Sequence, residues 1–119
     1  MSGVTASVLL RSAFTPSDSG RVTQLLRAIA TDVSDTRKGR HWDFTASNAI
    51  ASLSVLSTFE HAHDFEDDLL AHDLLFEDAP EAFLLSFATG RECDRALCAE
   101  LAAKLADSFR GINCGFGDD

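Results

Sequence analysis

Tyrosine is absent from the chain, methionine occurs once and proline twice. Without tyrosine, the nine phenylalanines and one tryptophan bring apolar bulk but few polar handles, so they read as core rather than as a ligand cage. No stretch approaches the roughly 18 apolar residues of a membrane span. Met1 to Leu10 has no basic region and only Val8, Leu9 and Leu10 as an apolar run, so no secretory leader is expected. The three cysteines, Cys93, Cys98 and Cys114, are odd in number and lack framework spacing, which points to a reducing, cytoplasmic setting. They read as small packing residues. Cys93 and Cys98, five apart, would face different ways on a helix. Phosphate-cradling glycine loops, a dinucleotide fingerprint and a Gly-x-Ser-x-Gly elbow are all missing, so neither cofactor nor enzymatic role is expected.

What is present describes one domain spanning residues 1–119. A chain of this size buries roughly two-thirds of its unfolded surface and needs no metal or disulfide to hold a core. The net charge of −9 argues against binding a row of phosphates, and so against nucleic acid. Arginine outnumbers lysine eight to two, as in a GC-rich bacterial genome.

Periodicity predicts the elements. Val8, Leu10 and Phe14 share one face of a strand over 6–14. Thr15-Pro16-Ser17-Asp18 starts a helix, with Thr15 as cap and Pro16 in the first turn. Val22, Leu25, Leu26, Ile29 and Val33 form its apolar stripe, and Arg37, Lys38 and Gly39 read as its end. Trp42, Phe44 and Ala46 alternate, Ser47-Asn48 turns the chain, and Ala51, Leu53 and Val55 alternate again. A helical reading through Ala46, Ala49, Ile50, Leu53 and Leu56 competes, but the serine alternation favours two strands.

Asp64 caps a short helix running to Glu77, with Phe65, Leu69, His72 and Phe76 on one face and His72 semi-buried beside a carboxylate. Asp78-Ala79-Pro80 breaks it. Phe83, Leu85 and Phe87 give a further strand. Thr89 and Glu92 have capping-box spacing ahead of a second long helix carrying Leu97, Leu101, Leu105 and Phe109, closed by Gly111. Residues 112–116 add an edge strand, and 117–119 fray. The expected fold is α+β: a small two-layer sandwich, ferredoxin-like in outline. Two long amphipathic helices pack on one side of an antiparallel sheet, and a short acidic helix joins them.

Charge is divided unevenly. Residues 1–40 carry six bases and three acids, residues 41–90 ten acids and no lysine or arginine, and residues 91–119 four bases and six acids. The run Glu60, Asp64, Glu66, Asp67, Asp68, Asp73, Glu77, Asp78 and Glu81 repels itself. Relief is expected from Arg37, Lys38 and Arg40 or from a cationic partner. The bland reading is a solvated face that aids solubility.

The sharper expectation is a small acidic inhibitor of immunity type that occludes the basic active site of a bacterial toxin. Asp64, Glu66, Asp67, Asp68, Asp73 and Glu77 would make the charged contacts, and Phe65 and Leu69 the apolar anchors. The alternative is a small metal- or ligand-binding domain, or a weak enzyme, built on the segment from His61 to Asp68. His-Ala-His-Asp-Phe resembles the His-x-His-x-Asp motif of binuclear hydrolases, with Phe65 in place of the required aspartate. His41 is assigned no role.

Overall fold

The computed structural model describes residues 3–36, 38–46, 48–89 and 91–118. The elements run β1 (Val4–Leu10), α1 (Pro16–Ile29), β2 (Thr31–Thr36), β3 (His41–Ala46), β4 (Ala49–Ser57), α2 (Ala62–Ala71), β5 (Glu81–Phe87), α3 (Glu92–Phe109) and β6 (Ile112–Asp118). The strands form one sheet in the order β2-β3-β4-β5-β1-β6, with every pairing antiparallel.

The alternation on β3 and β4 decides between the two sequence readings of residues 42–57. Trp42, Phe44 and Ala46 face one way with Ala51, Leu53 and Val55, all buried. Ala46 pairs with Ala49 across a two-residue connection in which Asn48 takes a positive φ of 66°. Asparagine tolerates that conformation. Ser47, the other turn residue, lies outside the described residues.

α1 begins as its sequence dictates. The Thr15 hydroxyl accepts from the Asp18 N–H, and the Asp18 carboxylate accepts from the Thr15 N–H at 2.9 Å. It ends earlier than expected. The helix stops at Ile29, and Thr31–Thr36, rich in β-branched residues, forms edge strand β2. Gly39, expected at the helix end, serves a turn instead. Its φ is +77°, a backbone conformation strained for any side chain, and a Cβ there would lie 2.3 Å from Ser19 Oγ, which would have to turn aside. Arg37 lies outside the described residues.

α1 and α3 pack on the same face of the sheet. Val22 and Leu26 of α1, and Cys98, Leu101, Ala102 and Leu105 of α3, join the inward residues of β1, β3, β4 and β5 in one buried cluster. Phe14, Trp42, Phe83 and Phe109 add edge-on and tilted aromatic contacts, with ring centroids 5.3–6.2 Å apart. Trp42 donates its indole N–H to Thr23 Oγ1 at 3.0 Å, which satisfies the one polar atom it buries.

α2 lies on the opposite face. Phe65 and Leu69 pack with Leu9, Ala79 and Ala82, the outward residues of β1 and β5 and part of the returning loop. The α+β class and the antiparallel sheet are as expected. The ferredoxin-like two-layer outline is not established, because helices occupy both faces.

α3 starts without a side-chain cap from Thr89. Its cap residue is Arg91, and Thr89 donates its hydroxyl to Asp94 instead. Gly90, between them, lies outside the described residues. At the other end Arg110 takes the left-handed conformation, and the N–H of Gly111 bonds the Ala106 carbonyl at 2.9 Å. β6 then runs to Asp118 rather than fraying at 117, and Asp119 lies outside the described residues. Both edge strands carry register shifts, a feature that discourages further strand pairing.

Candidate functional site

The acidic run folds into a lobe between β4 and β5. Its base is fixed by Thr58, which is fully buried: its hydroxyl donates to the Ala79 carbonyl at 2.6 Å and its N–H to the Pro80 carbonyl at 3.0 Å. α2 is shorter than expected. His61, not Asp64, precedes it, and Asp64 sits in the first turn, where a carboxylate favours the positive helix end.

The helix stops at Ala71 rather than continuing to Glu77. Leu74 N–H reaches back to the Leu69 carbonyl at 2.9 Å while Asp73 adopts φ 55°, a left-handed stop. Asp78 then closes the next turn by accepting from Leu75 N–H at 2.9 Å. His72 is therefore past the helix, exposed rather than semi-buried, with Asp68 as its carboxylate neighbour.

Phe65 and Leu69 are 0% and 3% exposed, so they hold α2 to the sheet and cannot anchor a partner. This corrects the role expected for them. The residues that sequence reasoning missed are Phe59, Leu70 and Leu75, exposed at 74%, 71% and 65%. Leu70 lies on the outward face of α2, one turn from Glu66 and Asp67 by helical spacing. Phe59 packs edge-on against Phe76 with ring centroids 5.7 Å apart. The helical stripe could have found Leu70, because Phe65 and Leu69 define the buried side.

Asp64, Glu66, Asp67, Asp73 and Glu77 are exposed. Asp68 is half-buried and hydrogen-bonded to Ser7 on β1, and burial raises its pKa above the ordinary carboxylate value. Among the described residues the ion pairs are Arg21–Asp18, Arg40–Glu81 and Arg91–Asp94, and His41 is hydrogen-bonded to Asp43. Of the acidic run only Glu81 is matched in this way, by Arg40. The other eight carboxylates, from Glu60 to Asp78, have no ion-paired cation among the described residues.

His61 precedes α2 with a non-helical backbone, and His63 lies in the helix's first turn. Among the described residues no three His, Cys, Asp or Glu side chains converge to hold a metal. The thiols also divide. Cys98 is buried, Cys114 half-buried and Cys93 exposed, so Cys93 is not the packing residue expected. A cleft between α1 and α3 is lined by Phe14, Arg21, Phe109 and Arg110. Its Arg21 is already engaged by Asp18, the Ser108 carbonyl and the Phe109 ring.

No family model fits the chain, and neither a curated protein nor a solved structure matches it.

Proposed function

We propose that this chain is a small cytoplasmic binding protein of immunity type, which lays the α2 lobe over the basic active-site cleft of a bacterial toxin. The observation that supports this reading is a set of carboxylates without ion-paired cations among the described residues, on the same lobe as three exposed apolar side chains. Asp64, Glu66, Asp67, Asp73 and Glu77 supply the charge, and Leu70, Leu75 and Phe59 supply the apolar contacts.

A field of one sign speeds encounter with a basic cleft, whereas desolvated apolar side chains slow release. Carboxylates fixed on a helix also offer a phosphate-binding cleft the charge it is built to receive. Inhibition by occlusion requires no chemistry from the inhibitor.

The test is association with a basic toxin encoded in the adjoining reading frame, measured at low and physiological salt. Asp64→Lys/Glu66→Lys/Asp67→Lys should slow association about tenfold or more and remove its salt dependence. An unchanged rate overturns the reading. Asp68 is left out of this set because its contact with Ser7 makes it part of the lobe's attachment.

A further inference from the structure

Beyond the reach of α2, the face of the sheet opposite α1 and α3 is polar and open. His41 and Asp43 are alternate residues of β3, and His41 pairs in register with Ser54 of β4. The three side chains form a hydrogen-bonded line. His41 Nδ1 lies 2.6 Å from Ser54 Oγ, and Nε2 lies 3.1 Å from Asp43 Oδ1.

The protons on this line follow from the groups themselves. An ionised carboxylate only accepts, so in the neutral imidazole Nε2 carries the proton and donates it to Asp43. Nδ1 is then the acceptor, and the Ser54 hydroxyl is the donor. That is the arrangement in which an imidazole serves as base to a serine while a carboxylate holds the tautomer and stabilises the imidazolium. The two ring nitrogens are used in the reverse sense to the serine-protease arrangement, which leaves the direction of proton transfer unchanged.

We propose that Ser54 is a nucleophilic serine that accepts acyl groups from neutral activated esters, with His41 as its base and Asp43 as a positioning residue. Ser54 Oγ bonds to the ester carbonyl carbon as its proton passes to His41 Nδ1. The carbonyl–oxygen bond to the leaving group then breaks, and the leaving group departs with that proton. Water, deprotonated by the same nitrogen, later attacks acyl-Ser54, releases the carboxylic acid and restores the serine.

The surroundings set the substrate and the rate. Asp43 is well exposed beside the site and repels anionic esters. Backbone N–H groups in the strand interior are committed to the ladders, so stabilisation of the oxyanion falls to the hydroxyls of Ser52 and Ser86. These two residues pair with one another, and both lie on the face that carries Ser54. One hydroxyl two residues along the strand and one diagonally across from Ser54 are weaker aids than an aimed pair of backbone donors. The acyl group should therefore be taken from a good leaving group and given up slowly to water, so the acylated protein accumulates.

The experiment incubates the full chain with p-nitrophenyl acetate, follows phenolate release and maps the acetyl group by peptide mass spectrometry. Acetylation is expected at Ser54 in preference to Ser7, Ser52 and Ser86, and Ser54→Ala should abolish it. His41→Gln should slow it about a hundredfold, the size of a general-base contribution. Asp43→Asn should slow it and shift the His41 ring-nitrogen NMR signature away from the Nε2–H tautomer. Equal labelling of the four serines, labelling confined to lysines, Cys93 or the amino terminus, or a Ser54 rate unchanged in a folded His41→Gln protein each overturns the proposal.

Discussion

Arg91 grips Asp94 at both oxygens: Nε lies 3.0 Å from Oδ2 and Nη2 lies 3.1 Å from Oδ1. The carboxylate is buried in the first turn of α3 and also accepts from the Thr89 hydroxyl. A negative group there suits the positive end of the helix. The hydrogen bonds from Arg91, joined by that from Thr89, hold the Asp94 pKa below the ordinary carboxylate value.

This fork makes stability depend on acid in a defined direction. A carboxyl whose folded pKa is depressed contributes stability above its unfolded pKa, about 3.9, and loses it as pH falls through the folded value. Asp94→Ala should cost about 2 kcal/mol at neutral pH, the scale of lost hydrogen bonds to a charged group. Urea midpoints of the two proteins should converge as pH falls below about 4. A gap that stays constant from neutral pH to pH 2 would show that the carboxylate charge is irrelevant.

A second prediction concerns the thiols. Burial pushes Cys98 up to about 11. Burial, with the Asp68 carboxylate adding to it, pushes Cys114 to about 11. The thiolate is the nucleophile, so both should be inert at neutral pH, while Cys93 is exposed. A maleimide should modify one thiol in the folded protein and all three in denaturant. Rapid modification of Cys98 in the native state would contradict the packing of α3 on the sheet.

Why some of this was legible in sequence and some was not is clearest in residues 29–39. Val33 falls eleven residues after Val22, a spacing that a helix satisfies, and Gly39 suits a helix end. A hairpin asks for the same glycine, because both places need positive φ. The discriminating signal was local: Thr31, Val33 and Thr36 are β-branched, and Asp32, Ser34 and Asp35 favour turns and caps over helix interiors. The acidic lobe could be read by counting charge, because no lysine or arginine falls within 41–90. Which of its apolar residues face outward required knowing that Phe65 and Leu69 meet Leu9 and Ala82 from β1 and β5. The line from Asp43 through His41 to Ser54 depends on register between two strands, which composition does not specify.

The burial pattern of α2 allows its stability to be separated from its proposed binding. Phe65 and Leu69 lie in the small cluster beneath the helix, whereas Leu70, the next residue, is 71% exposed. Phe65→Ala or Leu69→Ala should cost about 3 kcal/mol, from lost transfer energy and the cavity left behind. Leu70→Ala should leave the urea midpoint within about 0.5 kcal/mol of the parent. If the lobe docks onto a basic cleft, Leu70→Ala should speed dissociation while leaving the salt-dependent association rate nearly intact, since apolar contacts form after electrostatic encounter. Charge reversal at Glu66 and Asp67 should act on association instead. A Leu70→Ala protein that unfolds as readily as Leu69→Ala would place residue 70 in the core and remove it from the docking face.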